Sequence, residues 1–67
     1  MIKTMEALAA KGYRVELICN PDGICRDPIA RWTCSVEENP GKVNEQYIAI
    51  VDAPTPEAAV EMAAFGL

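Results

Sequence analysis

Histidine is absent from this 67-residue sequence, so the side chain that most often serves as a general base or a metal ligand is missing. The three cysteines consequently have no histidine that could activate a thiolate. Five and eight residues separate successive cysteines, a spacing unlike the close Cys-x-x-Cys pairs of zinc sites. The four glycines stand singly, and no glycine-rich phosphate loop is present. We therefore expect no catalytic residues, no metal and no cofactor.

Basic residues are also scarce: six lysines and arginines face ten aspartates and glutamates, which gives a net charge of −4. This balance disfavours nonspecific binding to nucleic acid or to anionic membranes. No apolar stretch approaches the roughly 20 residues that span a bilayer. An odd number of cysteines suits a reducing compartment. The sequence thus predicts a single cytoplasmic domain over residues 1–67, without a membrane partner.

Two segments have the pattern of short helices. Residues 2–11 carry apolar side chains near helical spacing, and Gly12 can supply the left-handed backbone that ends such a helix. Farther along, Thr55 can cap a helix through its hydroxyl, Pro56 has the fixed φ of a first helical position, and Gly66 can end the helix. The core stripe of this second helix is expected to comprise Ala59, Val60 and Ala63, with Met62 and Phe65 alongside.

Three segments predict strands. Polar and apolar side chains alternate over residues 13–19 and 31–37, and a β-branched run begins at about Glu45. Turn-forming residues fill both connections, and Gly41 suits the positive φ of a type II turn. The resulting order is α-β-β-β-α, an α+β domain in which a three-stranded antiparallel meander has both helices on one face. The sheet side of its core would be Val15, Leu17, Trp32, Cys34, Val36, Ile48 and Ile50.

The cysteines divide between these elements. Cys19 and Cys34 fall on the core faces of the first two strands, where cysteine behaves as a small apolar residue. Cys25 lies in the connection between those strands, and we expect it to be the thiol that reacts with reagents.

The sheet face away from the helices is left uncovered in this arrangement. The row of Tyr47, Ala49 and Val51 is more apolar than an outward row usually is, which favours a partner protein or a homodimer on this face. A shift of one residue in the third strand would instead turn Ile48 and Ile50 outward. The candidate partner-binding residues are Arg14, Glu16, Arg31, Thr33, Ser35, Tyr47, Ala49 and Val51, with Ile18 beside them.

Acidic residues concentrate in the second half of the chain, where residues 34–67 hold Lys42 as their only basic residue. Such a surface could meet a basic partner, and the simpler alternative is a solvated face that maintains solubility. The candidate acidic surface comprises Glu37, Glu38, Glu57 and Glu61.

Three resemblances bear on function. The element order is similar to that of double-stranded-RNA-binding domains, which bind phosphate with lysines at the start of the last helix, but residues 55–59 contain no lysine. Nucleic-acid binding would then depend on Arg14, Arg26 and Arg31. Residues 55–63, after a strand, resemble the strand-to-helix end of HicB-type antitoxin domains, which implies a protein that binds and silences a small toxin. In size, acidity and lack of catalytic groups the chain is also similar to small phage inhibitors such as anti-CRISPR proteins.

The sequence therefore predicts a non-enzymatic protein-binding module of bacterial or phage origin. It would be an inhibitor or antitoxin-like protein that masks a site on a partner with a basic surface. One alternative is a ligand-binding or enzymatic domain whose site forms at a homo-oligomer junction from Tyr47, Arg31 and a nearby carboxylate. The other alternative is nucleic-acid binding, which the charge balance disfavours.

Overall fold

The computed structural model describes residues 1–20, 31–65 and 67. In chain order the elements are helix α1 (Ile2–Ala10), strands β1 (Arg14–Cys19), β2 (Trp32–Glu38) and β3 (Gln46–Ala53), and helix α2 (Pro56–Phe65). The strands form one antiparallel sheet in the order β1-β2-β3. The predicted α-β-β-β-α order and the α+β class are thus confirmed, whereas the expectations for Cys25, Arg26 and Gly66 lie outside the described residues.

Helix α1 ends where Gly12 takes the left-handed conformation, with a φ of +94°. The Gly12 N–H donates to the Ala9 carbonyl oxygen at 2.9 Å, and the Tyr13 N–H reaches back to the Leu8 carbonyl oxygen at 3.2 Å. These two bonds are the Schellman arrangement, which satisfies carbonyl groups left without partners at the end of a helix. The chain then enters β1 at Arg14.

Helix α2 begins with the cap that the sequence predicts. The Ala58 N–H donates to Thr55 Oγ1 at 3.2 Å, and the Ala59 N–H donates to the Thr55 carbonyl oxygen at 3.1 Å. Pro56 occupies the first helical position, where its missing N–H costs no helical bond. Glu57 lies in the first turn, where its charge favours the positive end of the helix dipole. The passage from β3 into α2 is therefore encoded locally.

A tight turn connects β2 to the segment that leads into β3. The Lys42 N–H donates to the Asn39 carbonyl oxygen at 3.1 Å, and Gly41 has the positive φ, +77°, of the third position of a type II turn. The Gly41 N–H also donates to Glu45 Oε2 at 2.8 Å. The predicted turn is confirmed, and it holds the Glu45 carboxylate at the end of the sheet.

Both helices pack on the same face of the sheet. Helix α2 contacts all three strands, and α1 contacts β1 and α2. The largest fully buried side chains are Val36 and Cys34 of β2 and Val60 of α2. Val15, Leu17, Trp32 and Ile48 pack against this buried cluster, as the sequence predicts. The whole cluster comprises Leu8, Cys34, Val36, Ala53, Ala59, Val60 and Ala63.

A β-bulge in β3 changes the phase of that strand. Glu37 of β2 lies opposite Tyr47, but its neighbour Val36 lies opposite Ala49. Ile48 is therefore an extra residue without a partner of its own in the ladder. Both Ile48 and Ala49 pack against the core, so the alternation of inward and outward side chains resumes one residue out of step.

This phase change corrects the predicted faces of three residues. Ala49 and Val51 are predicted on the uncovered face, which is wrong because both pack against the buried cluster. Ile50 is predicted in the core, which is also wrong because Ile50 is 64% exposed and lies opposite Ser35. Strict alternation holds as far as Ile48 and fails after it, since one inserted residue exchanges the two faces.

Three further residues are more exposed than the sequence analysis predicts. Phe65 is 94% exposed because its place in the helical turn lies almost opposite the stripe that contains Val60. Met62 is also exposed. Cys19 is exposed because it is the last residue of an edge strand and has a neighbouring strand on one side only. Cys34 is buried as expected.

Two truncations in α2 test this assignment of the core. Val60→Ala removes two buried methyl groups and should lower the free energy of unfolding by about 2 kcal/mol through lost apolar burial and the cavity left behind. Phe65→Ala removes more apolar atoms from an exposed position and should change it by less than about 0.5 kcal/mol. Urea unfolding followed by circular dichroism measures both values. A larger loss at Phe65 than at Val60 would contradict the orientation of α2.

Candidate binding surface

The sheet face opposite the helices, called the outer face below, is built from three cross-strand rows. Side chains in one row lie within contact distance of one another in an antiparallel sheet. In the described part of the chain, both helices pack on the other side of the sheet. Row by row, the outer face comprises Arg14, Glu37 and Tyr47; Glu16, Ser35 and Ile50; and Ile18, Thr33 and Asp52.

Three apolar side chains are exposed on this face. Ile50 is 64% exposed, Tyr47 is 57% exposed and Ile18 is 48% exposed. Tyr47 and Ile50 belong to the same strand and flank the bulge at Ile48. A tyrosine offers a rigid apolar ring together with a polar hydroxyl, a combination enriched at protein interfaces. The outer face therefore provides apolar contacts on both of its edge strands.

A hydrogen-bonded chain of polar side chains crosses the third row. Asn20 Nδ2 donates to Thr33 Oγ1 at 2.8 Å, and the Thr33 hydroxyl donates to Asp52 Oδ1 at 2.6 Å. Because a threonine hydroxyl has one hydrogen to give, these two bonds fix the direction of the chain. The three side chains are thereby ordered across all three strands.

Charged groups meet around the first two rows. Arg14 Nη2 lies 3.1 Å from Glu16 Oε1, and Glu37, in the middle strand, is only 8% exposed. Burial raises the pKa of the Glu37 carboxyl, as do a hydrogen bond with the Glu45 side chain and the negative charges of Glu45 and Glu16, whereas Arg14 lowers it. A hydrogen bond between two carboxyl groups requires a proton between them. Glu37 therefore keeps its proton to a higher pH than a solvated glutamate does.

The structure separates the predicted partner-binding residues. Arg31 directly precedes β2, and its carbonyl oxygen accepts a hydrogen bond from the Asn20 N–H at 2.8 Å, which extends the pairing of β1 with β2. Ala49 and Val51 belong to the core side of the sheet. Ser35 is buried among its neighbours on the middle strand. On the outer face lie Arg14, Glu16, Thr33, Ser35 and Tyr47.

The predicted acidic surface is divided between two layers. Glu37 belongs to the outer face, whereas Glu57 and Glu61 are exposed on α2, in the helical layer. Glu61 Oε1 accepts a hydrogen bond from the Thr4 hydroxyl at 2.7 Å, which connects the two helices. Glu38, at the end of β2, accepts a hydrogen bond from the side-chain amide of Gln46 in β3. These carboxylates therefore do not form one continuous surface.

Sequence reasoning missed several members of the outer face. Ile50 and Asp52 follow the bulge, and nothing in the local sequence marks Ile48 as an inserted residue. Glu45 reaches Glu37 only because the turn folds back against the sheet. Alternation in β2 does group Glu37 with Ser35, so this assignment could have been made from the sequence.

Known proteins provide no further assignment, because the chain matches no protein-family model, no curated protein and no solved structure. The described residues contain neither a group of three or more cysteines, aspartates and glutamates that could hold a metal ion nor a ligand-sized cavity. Among these residues, neither helix combines the length and the apolar character that crossing a membrane requires. The geometry of the outer face is therefore the remaining basis for a function.

The two described thiols should differ in reactivity. Cys19 is exposed, whereas Cys34 is buried and burial raises the pKa of its thiol, so that less of the reactive thiolate forms at a given pH. In a Cys25→Ser variant, iodoacetamide should modify Cys19 in the native protein and Cys34 only after unfolding in urea. Mass spectrometry of the digested protein locates the label. Equal labelling of both cysteines under native conditions would contradict the burial of Cys34.

Replacement of Glu37 by glutamine should stabilise the protein increasingly as the pH rises. Because the pKa of Glu37 is raised in the folded state, the contribution of the wild-type carboxyl to stability is complete below the ordinary glutamate pKa and is lost as pH rises through the raised value. Urea unfolding measures the free energy of unfolding at mildly acidic and at neutral pH. Relative to the wild type, this free energy should be higher for Glu37→Gln at neutral pH than at mildly acidic pH.

The matched control for this substitution is Glu6→Gln, which removes the same formal charge from an exposed position on α1. If the free energy of unfolding, relative to the wild type, rises equally for both variants between the two pH values, the environment described for Glu37 is wrong.

Proposed function

We propose that this chain is a non-enzymatic protein-binding module whose outer face masks a site on a partner protein, as inhibitors and antitoxins do. The observation that carries the proposal is the exposure of Ile18, Tyr47 and Ile50 on a single sheet face while the helices pack on the other face. Apolar side chains that share one surface region and have polar neighbours are typical of interaction sites.

Ordered polar groups also support binding to a preformed surface. The Asn20, Thr33 and Asp52 side chains already hold one another through hydrogen bonds in the free chain. A partner that contacts them does not have to order them first, so less conformational entropy is lost on binding. The same three residues tie the strands together at one end of the face.

The charge of the chain favours a basic partner. The net charge is −4, and on the outer face Arg14 is accompanied by the acidic residues Glu16, Glu37 and Asp52. Association with a basic surface would be fast at low ionic strength and slower as salt screens the attraction. By the resemblance of residues 55–63 to HicB-type antitoxins and of the whole chain to anti-CRISPR proteins, we extend the proposal to a bacterial or phage inhibitor that acts in the cytoplasm.

Site-specific crosslinking tests the proposal and can identify the partner. A photoreactive phenylalanine analogue at position 47 should crosslink a protein in bacterial extract, whereas the same analogue at position 65, which is even more exposed on α2, should not. The crosslinked protein is then purified and its affinity for the wild-type chain is measured by calorimetry.

Substitutions on the two layers provide the decisive comparison with that purified partner. Tyr47→Ala and Ile50→Ser should each weaken binding by about tenfold or more, as expected for exposed apolar side chains that become buried in an interface. Phe65→Ala, in the helical layer, should leave the affinity unchanged. Equal affinities for all three variants would show that the outer face is not the binding surface.

A further inference from the structure

Strand β3 has a neighbouring strand on one side only. Within the described residues it pairs with β2 and forms one edge of the sheet, as β1 forms the other. The two edges differ in charge, because β1 contains Arg14 and Glu16 whereas Asp52 is the only charged residue of β3. Lysine and proline, which discourage further pairing at natural sheet edges, are absent from β3. The side of β3 away from β2, called the open edge below, therefore lacks these protective residues.

One hydrogen bond shows which backbone groups of β3 face the open edge. The carbonyl oxygen of Arg31 accepts a bond at 2.8 Å from the N–H of the residue that follows β1, so Arg31 directs its backbone groups toward β1. These groups alternate sides along a strand of an antiparallel sheet, and Cys34 consequently directs its own toward β3, where it lies opposite Val51. Val51 therefore bonds to β2, whereas its neighbours Ile50 and Asp52 present their N–H and carbonyl groups to the open edge.

The bulge limits where a further strand can pair. It interrupts the regular backbone at Ile48, so the evenly spaced part of the open edge is residues 49–53. In this stretch Ile50 is 64% exposed, and Asp52 is exposed as well. Among the described residues, no other segment pairs with this side of the strand. The open edge thus offers the backbone donors and acceptors of Ile50 and Asp52 to an extended chain.

A second copy of the chain fits this edge through a twofold axis at Val51. Residues 49–53 of the two copies then lie antiparallel, and Ile50 of each copy lies opposite Asp52 of the other. Because both residues direct their backbone groups to the edge, each such pair exchanges two N–H···O=C bonds. The layers also match, since Ile50 and Asp52 belong to the outer face and Val51 to the core side. The same short stretch therefore supplies both halves of the contact.

Charged side chains near the open edge are held away from it. Asp52 Oδ1 accepts the Thr33 hydroxyl at 2.6 Å, which draws this carboxylate toward β2. Helix α1 contacts β1, and Glu61 of α2 accepts a hydrogen bond from Thr4 of α1, so the Glu61 carboxylate lies on the side of α2 nearer β1. The strand is also already ordered in each copy. Pairing two copies therefore costs less conformational entropy than ordering an unfolded segment of another protein.

We propose that two copies of this chain pair through residues 49–53 of β3, in a twofold antiparallel contact that joins their three-stranded sheets into one. The contact is short, so the association is weak and depends on concentration. It does not require the proposed masking function, because the outer faces of both copies stay accessible on the same side of the joined sheet.

Hydrogen exchange of single backbone amides, followed by nuclear magnetic resonance at micromolar and millimolar protein concentrations, tests the pairing. The Val51 amide should be protected at both concentrations because it bonds to β2. The amides of Ile50 and Asp52 should exchange at least about tenfold more slowly in the concentrated sample. Light scattering should show the molar mass rising toward that of a dimer. A monomer at millimolar concentration, or exchange of Ile50 and Asp52 that does not change with concentration, would overturn the inference.

A proline at the open edge separates the backbone contact from a side-chain contact. Ile50→Pro removes an N–H that β2 does not use, and proline is tolerated where a strand directs its N–H away from the sheet. It should weaken self-association by about tenfold or more. The matched control Ile50→Thr keeps both the N–H and a β-branched side chain, and should change self-association by less than about threefold. Equal losses in both variants would mean that the Ile50 side chain, and not the strand edge, makes the contact.

Disulfide trapping gives an independent result if Ile50→Pro folds poorly. In a chain with Cys19→Ser and Cys25→Ser, Val51→Cys places two thiols opposite each other at the twofold axis, at a separation that a disulfide can span. Tyr47→Cys, outside the regular stretch, is the exposed control. At equilibrium in a glutathione buffer, the Val51→Cys chain should give the higher yield of linked dimer. An equal or higher yield from Tyr47→Cys would contradict the twofold axis at Val51.

Salt distinguishes this contact from binding to a basic partner. Two copies with a net charge of −4 each repel one another, so their pairing should strengthen as salt screens the repulsion, whereas the proposed partner should bind more weakly. Self-association that weakens with salt would overturn the inference. A monomeric chain that still crosslinks a protein through position 47 would refute the pairing and leave the masking function intact. Protection of Ile50 and Asp52 only in the complex with that protein would assign the open edge to the partner instead.

Discussion

The packing of α2 against the middle strand is the interaction on which the rest of the structure depends. Val60, Cys34 and Val36 form its fully buried centre, and Leu8 brings α1 into the same cluster. With so few large side chains, the core of such a small domain leaves only a narrow margin of stability. Because both helices pack on this side, the outer face, within the described residues, has to be stabilised by its own side chains.

The outer face meets this requirement with polar groups at its centre and apolar groups toward its edges. Ser35 and Glu37 occupy the middle strand, where neighbouring strands shield them, while Tyr47 and Ile50 project from β3. A fully apolar face would promote aggregation, and a fully polar one would provide few apolar contacts for a partner. The observed mixture limits nonspecific association and keeps specific contacts accessible.

Local signals made most of the fold predictable. The Thr55 cap, the Gly12 reversal and the turn at Gly41 each depend on neighbours in sequence, so propensity and pattern are sufficient to find them. The composition of the outer face depends instead on the register between β2 and β3, which a strict alternation cannot supply once Ile48 is inserted. The contact of Glu45 with Glu37 requires the tertiary path of the turn, and no periodicity in the sequence encodes it.

The bulge also has a consequence for how such a surface could change over generations. Before Ile48 the strand presents one set of side chains to solvent, and after it the strand presents the complementary set. Deletion of the Ile48 codon would remove the bulge and leave the two faces as they are, because Tyr47, Ala49 and Ile50 would keep their partners Glu37, Val36 and Ser35. A change in length at this point, without any substitution, could thus straighten β3 while the same side chains remain on the outer face.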